Sequence, residues 1–202
     1  MRSSTFFKLS KTMESDFPVC FGHRCLPFGS TNTCVAVVYL KNRISRGWAP
    51  ADESPLHKPI PEEEKLDFRS RLLPILASSP SQIRSQLIPI LQKILQYDFP
   101  AKWPSFMEIT VQLLNTNDAN SVFAGLHCML AICRVYRFKG EDNRGEFNQI
   151  VEASFPQLLA IGNRLVNETS MEAWEMLRII VKAYKHAIYV GQYTSSSRAT
   201  LN

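Results

Sequence analysis

The sequence predicts an all-α fold in which antiparallel helix pairs stack in series as an α-solenoid. Apolar residues recur at intervals of three and four along most of the chain, and Pro and short polar turns separate these stretches. No strand is needed to account for the pattern. With 202 residues, of which 45% are apolar and 20% charged, the chain can bury a sizeable core.

The two ends of the chain lack this pattern. Residues 1–33 mix Ser, Thr, Phe, Pro and Gly without a period of 2 or 3.6, so no stable element is expected there. Residues 191–202 are predicted to form a frayed, disordered tail. The folded part is therefore expected to span residues 34–190.

The first two helices are predicted at about residues 34–47 and 61–77. One side of the first carries Val35, Val38, Tyr39 and Ile44. A loop rich in Pro, Asp and Glu follows, and Pro61 with three glutamates then starts the second helix, because Pro fits the first turn and carboxylates meet the positive end of the helix dipole. The residues expected to point inward from it are Leu66, Leu73 and Leu76.

The third helix has the clearest apolar stripe of the chain. It is predicted to open at Ser79, and its stripe consists of Ile83, Leu87, Ile90, Leu91, Ile94 and Leu95. Pro89 lies inside this stretch and predicts a bend. The fourth helix is predicted to begin at Trp103 and to bury Phe106, Ile109, Leu113 and Leu114.

Three further helices complete the prediction, the first of them after an N-capping cluster at residues 115–118. Its apolar positions are Val122, Leu126, Met129, Leu130, Cys133 and Tyr136. The next, at residues 146–165, contains Pro156 as a second bend and has Phe147, Ile150, Val151, Leu158, Leu159 and Leu165 on its apolar side. The last follows a second capping cluster at residues 167–170 and carries Trp174, Leu177, Val181, Tyr184 and Ile188.

The helices are spaced like a repeat. The first members of successive pairs are predicted to begin near residues 34, 80, 118 and 170. Offsets of about 35 to 50 residues bracket the HEAT and armadillo period of about 40 to 47. The sequence therefore predicts a HEAT/armadillo-like α-solenoid, in which each pair buries its apolar face only by stacking on its neighbours.

Composition and motifs argue against several functions. The net charge of +5 is carried by Lys and Arg that are spread singly, which favours solvated helix faces over a track for nucleic acid. No phosphate-binding Gly-rich loop, Gly-x-Ser-x-Gly or His-Glu-x-x-His motif occurs, so no catalytic residue is predicted. His127 beside Cys128 is interpreted as packing and not as a catalytic dyad. The longest uninterrupted apolar run, Cys34–Leu40, is too short to cross a bilayer.

The cysteines indicate reduced thiols and no metal site. Their number, five, is odd, and the chain has no secretory signature. Cys20, His23 and Cys25 resemble half of a zinc site, but no second pair at ligand spacing follows. No cofactor is expected.

Four motifs in order resemble one protein family. Val38-Tyr-Leu-Lys-Asn-Arg-Ile, followed by Trp48, resembles a helix near the amino terminus of importin-β (karyopherin-β) receptors. Residues 60–65, residues 79–87 and the element Asp98-Phe-Pro-Ala-Lys-Trp103 then follow as in the importin-seven/importin-eight branch and its fungal relatives. The motif residues, whose role is interpreted as mainly structural, are Tyr39, Leu40, Lys41, Asn42, Trp48, Asp98, Phe99, Pro100 and Trp103.

The resemblance implies a segment of a nuclear transport receptor that shuttles between nucleus and cytoplasm. Its implied partners are the small GTPase Ran in its GTP form, protein cargo and Phe-Gly repeats of the nuclear pore, the last through parts of the receptor mostly absent here. It implies no direct binding to nucleic acid and no membrane insertion. The match extends from within the family's second repeat to about its fifth, and residues 1–33 stand where the first repeat would be. A generic HEAT scaffold that does not bind Ran is the alternative.

Stacked helix pairs line their concave surface with the second helix of each pair. The helices near 61–77, 103–115 and 146–165 are therefore expected to face partners. Their candidate partner-binding residues are Lys65, Arg69, Arg71, Glu108, Gln112, Asn148 and Glu152, although simple solvation is the favoured interpretation of any single one of these side chains. Trp48, Trp103 and Trp174 are interpreted as core residues and not as partner hot spots.

Overall fold

A computed structural model describes residues 31–50, 59–137, 139 and 144–198. These residues form seven helices, which we number along the chain: α1 (Thr31–Gly47), α2 (Glu62–Ser78), α3 (Ser81–Asp98), α4 (Phe106–Leu114), α5 (Ala119–Tyr136), α6 (Arg144–Leu165) and α7 (Met171–Arg198). The described residues contain no strand, which confirms the predicted all-α class. The expectations for residues 1–30 and 199–202 lie outside the described residues.

The helices begin close to the predicted positions. The first members of the predicted pairs start at Thr31, Ser81, Ala119 and Met171. α1 starts three residues early, α4 begins at Phe106, three residues after the predicted Trp103, and α7 continues to Arg198, through most of the segment predicted as a tail. No Pro interrupts residues 171–198, so nothing in the backbone chemistry forces that helix to stop earlier. Pro89 and Pro156 lie inside helices as expected, and the bends there stay predictions.

The chain divides after Phe99 into two compact units. In the first unit α1 packs against α3, and α3 also contacts α2. All six apolar positions predicted for α3 are buried. They meet a second set of buried residues from α1 and α2, namely Val37, Leu40, Ile44, Leu72, Leu73 and Leu76.

The second unit is organised around α5, which packs against α4, α6 and α7, while α6 also packs against α7. By length and composition alone α5 is apolar enough to cross a bilayer. The packing of α5 explains this apolar composition more simply, since a helix enclosed by others is apolar on most of its sides. Its buried residues include Phe123, Leu126, Cys128, Met129, Leu130, Ile132, Cys133 and Tyr136.

The crossing of α4 and α5 requires a glycine. A Cβ atom built on Gly125 would lie 2.9 Å from the side chain of Leu114 and 3.2 Å from its backbone nitrogen. These distances are shorter than ordinary contacts, so α5 approaches the end of α4 more closely than any residue with a side chain would permit.

Several apolar residues predicted to be inward are exposed. In α1 the buried residues include Val37, Leu40 and Ile44, whereas Val38 and Tyr39 are exposed, and the side chain of Val35 lies outside the described part of the structure. Leu66 in α2 and Leu159 in α6 are also exposed. The predicted and observed buried sides differ most in α7, where Trp174, Val181 and Ile188 were predicted to be inward and are exposed. This helix has two apolar sides, and the buried one is formed by Ala173, Met176, Ile179, Ile180 and Ala183.

Candidate partner-binding site

Arg69 is a structural residue and not part of a partner-facing surface. Its side chain is only 6% exposed, and its Nη1 donates a hydrogen bond of 2.5 Å to Asp98 Oδ2. Its other amino group lies 3.2 Å from Glu62 Oε1. The prediction that Arg69 binds a partner is therefore wrong, because its guanidinium is already engaged by two carboxylates of its own unit.

Lys65 and Arg71, the other candidates on α2, are partly accessible. Lys65 pairs with Glu62 at 3.4 Å, and its ammonium lies 5.7 Å from the centre of the Trp48 ring, where a cation is attracted by the π face. Arg71 pairs with Asp67, one turn earlier, at 2.8 Å. A partner would have to compete with these local pairs, which restrain both side chains in defined orientations.

The candidates of the second unit are more accessible. Glu108 and Gln112 are exposed on α4, one turn apart, with Gln112 Nε2 3.4 Å from Glu108 Oε1. Asn148 and Glu152 are exposed on α6, also one turn apart. Each pair offers polar donors and acceptors on a helix surface.

The end of α4 is hydrogen-bonded to the middle of α6. The Gln157 amide on α6 donates a hydrogen bond to the side-chain oxygen of Asn115, which follows α4 directly. This contact places the two candidate helices in one unit with a fixed point between them.

Two residues of the sequence motifs meet in the core of the first unit. Trp48 Nε1, just after α1, donates a hydrogen bond of 3.1 Å to Asp98 Oδ2, the same oxygen that accepts from Arg69. Trp48 is 1% and Asp98 2% exposed, so the three side chains form a buried polar cluster. A buried carboxylate is stable only when it is paired and hydrogen-bonded, and Asp98 meets both conditions. The cluster joins the ends of α1 and α3 to the middle of α2.

The other motif residues divide into buried and exposed ones. Leu40, Phe99 and Trp103 are buried, and the Trp103 ring meets Phe106 edge to face with 4.9 Å between centroids. Tyr39 and Asn42 are exposed on α1, and Pro100 is half-buried. Lys41 donates a hydrogen bond of 2.7 Å to Gln86 on α3. The core interpretation of Trp48 and Trp103 is confirmed, and that of Trp174 is wrong.

The two thiols of α5 are poorly suited to chemistry. Cys128 and Cys133 are buried in α5, and burial raises the pKa of each thiol to about 12. Neither is therefore a thiolate at neutral pH. His127 packs against Phe123 with 4.9 Å between ring centroids, as its packing interpretation requires. No three His, Cys, Asp or Glu side chains gather as a metal site would need within the described part of the chain, which does not include Cys20, His23 and Cys25.

A cluster of basic groups on α5 and α7 was not singled out from the sequence. Arg137 Nη1 lies 3.4 Å from His186 Nδ1. Burial lowers the pKa of His186, and so do the positive charges of Arg134, Arg137, Lys185 and Lys182. The sequence contains a signal for this cluster, since Arg134 and Arg137, at and just after the end of α5, are three residues apart, as are Lys182 and Lys185 in α7. The proximity of the two pairs depends on how α5 and α7 pack.

Comparison with protein families gives one match inside this fold. Residues 33–78 match the family described as the importin-beta N-terminal domain. The matched segment covers α1 from its third residue, Trp48 and all of α2, and so includes two of the three side chains of the buried cluster.

Curated relatives match a larger part of the chain. It is 28% identical over 159 residues to an importin beta-like SAD2 homolog of Arabidopsis thaliana, covering 77% of this chain and 15% of that protein. It is 27% identical over 154 residues to a probable importin-7 homolog of Dictyostelium discoideum, covering 75% and 14%. It is 24% identical over 127 residues to importin-8 of Mus musculus, covering 61% and 13%. The chain thus spans about one seventh of the length of these relatives, and the resemblance to the importin-β family and its importin-7 and importin-8 branch is confirmed.

Proposed function

We propose that this chain, which carries an importin-β amino-terminal domain, acts as a segment of a nuclear transport receptor that binds Ran in its GTP form and helps to carry protein cargo into the nucleus. The match of residues 33–78 to the importin-beta N-terminal domain carries the proposal. The helical fold and the similarity to importin-7 and importin-8 relatives support it. Cargo binding, contact with Phe-Gly repeats and shuttling between nucleus and cytoplasm belong to the same proposal.

The exposed polar residues of α4 and α6 are the best-placed contacts for a protein partner. They offer carboxylates and amides on helix surfaces, which suits reversible and salt-sensitive recognition. Lys65 and Arg71 on α2 extend the proposed set in the first unit, and Arg69 is removed from it because it is buried. The proposed contact residues are Lys65, Arg71, Glu108, Gln112, Asn148 and Glu152.

The experiment is a comparison of nucleotide states with the full 202-residue chain. The chain is immobilised, and purified Ran loaded either with a non-hydrolysable GTP analogue or with GDP is passed over it. We expect the GTP-analogue form to bind at least about tenfold more tightly, a difference of about 1.4 kcal/mol. Equal affinity for the two forms would contradict the proposal and would favour a HEAT scaffold that does not recognise Ran.

Reversing single charges tests the contact surface. We expect Glu108→Lys and Glu152→Lys each to weaken binding of the GTP-analogue form about three- to tenfold. Each substitution reverses the charge that the proposed contact surface presents to the partner. Glu168→Lys is the matched control, since Glu168 is exposed between α6 and α7 and lies outside the proposed set. A control as damaging as the two test variants would count against this surface.

A further inference from the structure

The outward side of α7 has the pattern of a helix-pairing seam. Its exposed residues at intervals of three, four, three, four and three are Met171, Trp174, Arg178, Val181, Lys185 and Ile188, which we call the outer stripe. Four of the six are large apolar residues, and each is at least 60% exposed. A repeat that averages 3.5 residues is the spacing with which two helices pack along a common seam.

The outer stripe lies opposite the side of α7 that belongs to the core. α7 packs against α5 and α6 through Ala173, Met176, Ile179, Ile180 and Ala183, all of them buried. The outer side instead borders a shallow groove of about 890 Å³, whose lining consists of α7 residues and includes Met171, Trp174, Leu177 and Val181 together with the charged side chains of Glu172, Glu175, Arg178 and Lys182. Exposed apolar residues that form one continuous patch mark an interaction surface more often than scattered ones do.

The charged residues beside the outer stripe are arranged so that they match the same residues of a second, antiparallel copy of α7. Glu175 and Lys182 are seven residues apart, so both lie on the same flank of the stripe, one before and one after its midpoint. When two copies of a helix pair antiparallel about a twofold axis, each flank meets the same flank of the other copy. A twofold axis close to Ile179 would therefore bring Glu175 near Lys182 of the second copy, and this pair would occur twice.

The same antiparallel alignment also brings residues of the two outer stripes together. Met171 would lie near Ile188 of the second copy, which joins the two ends of the seam through apolar contact. Trp174 would lie near Lys185 of the second copy, where the ammonium can meet the face of the indole ring. Arg178, which pairs with Glu175 at 3.8 Å within its own helix, would lie near the axis beside Val181 of the second copy.

We propose that the outer stripe of α7 is a self-association surface, on which a second copy of this chain packs its own α7 antiparallel. The inference is independent of the proposed receptor function. The apolar residues of the seam drive the association, and the Glu175–Lys182 pairs select the antiparallel orientation. The occupant is a second copy because one flank carries both charge signs in the order that an antiparallel copy matches.

The test is the molecular mass of the full chain in solution. Sedimentation velocity at protein concentrations up to about 200 µM is expected to show a monomer and a discrete dimer in a concentration-dependent equilibrium. Val181→Asp is expected to weaken the dimer at least about tenfold, because it places a carboxylate in the apolar seam. Val166→Asp is the matched control and is expected to leave the dimer intact, since Val166 is 65% exposed, as Val181 is 66%, but lies before α7. Far-ultraviolet circular dichroism checks that each variant keeps its helices.

The orientation is tested by exchanging charges. Glu175→Lys and Lys182→Glu are each expected to weaken the dimer by about threefold to tenfold, and the double variant is expected to recover most of the loss. A chain that stays monomeric, larger aggregates without a dimer, or a dimer indifferent to Val181→Asp would overturn the proposal. A double variant no better than the single ones would overturn the antiparallel register.

Discussion

Asp98 and Arg69 form the central ion pair of the first unit, with Arg69 Nη1 2.5 Å from Asp98 Oδ2 and both side chains at most 6% exposed. Removing one member of such a buried pair leaves the other charge without compensation. We therefore expect Asp98→Ala to lower the free energy of unfolding by about 3 to 5 kcal/mol, as measured by urea denaturation followed by circular dichroism. Trp48 would lose its hydrogen-bond acceptor in the same variant.

The partly exposed pair between Arg71 and Asp67, which lies on α2 like Arg69, provides the control. Arg71→Ala should lower the free energy of unfolding by no more than about 1 kcal/mol, because solvent screens this pair. The double variant Arg69→Ala/Asp98→Ala should be less destabilised than the sum of the two single variants, because it leaves no unpaired charge. Additive effects would show that the pair is not coupled as the distances indicate.

Gly125 is expected to tolerate no side chain. Gly125→Ala should lower the free energy of unfolding by about 1 to 3 kcal/mol from overpacking against Leu114, although Ala favours a helix by about 1 kcal/mol more than Gly. Gly145→Ala, near the start of α6, should be neutral or stabilising, since no atom lies within 4 Å of its added Cβ. Thermal unfolding of the two variants compares them directly, and equal melting temperatures would refute the close crossing of α4 and α5.

Apolar periodicity identifies the buried side of a helix only when one side of that helix is apolar. In α3 the apolar residues form one stripe with polar residues around it, and the stripe was identified without error. In α7 they occupy two sides, and periodicity cannot tell which side meets α5 and which meets solvent, so Trp174 was assigned to the core incorrectly. The sequence also gives no sign that Arg69 is buried, because its partner Asp98 lies 29 residues away in a different helix.

The buried thiols of α5 should be protected from reagents while the chain is folded. In a variant with Cys20, Cys25 and Cys34 replaced by serine, Cys128 and Cys133 should react with Ellman's reagent at pH 8 at least about a hundredfold more slowly in buffer than in urea. The reason is that burial both hides them and raises their pKa to about 12, so that almost no thiolate is present. Rapid reaction in buffer would contradict their burial.

The same pKa shift predicts the direction of a pH dependence. The unfolded thiols ionise near their ordinary value of 9.0, and the folded ones only near 12, so the unfolded state releases protons first. The stability contributed by these thiols is fully present below pH 9.0 and declines as the pH rises from there to about 12. Replacing both Cys128 and Cys133 with alanine should remove this contribution, so the free energy of unfolding of that variant should fall less steeply over the same range.

His186 should respond to the charge of its neighbour Arg137. Burial and the charges of Arg134, Arg137, Lys185 and Lys182 hold the pKa of His186 below its ordinary value of 6.5. The neutral ring can also accept a hydrogen bond at Nδ1 from Arg137, whose Nη1 lies 3.4 Å away. Arg137→Gln should therefore raise the pKa of His186, as followed by the chemical shift of its ring protons in an NMR titration.

A control variant that removes a different cation of the second unit distinguishes the local effect of Arg137 on the pKa of His186 from the effect of a lower net charge. Arg164→Gln removes an exposed cation on α6 that is not among the charges acting on His186, so the His186 titration should not move. Because the folded pKa lies below the unfolded one, the contribution of His186 to stability is present above pH 6.5 and is lost as the pH falls through the folded pKa. In Arg137→Gln that acid-dependent loss should become smaller. A His186 titration that moves equally in both variants would show that its pKa reports the net charge and not the contact with Arg137.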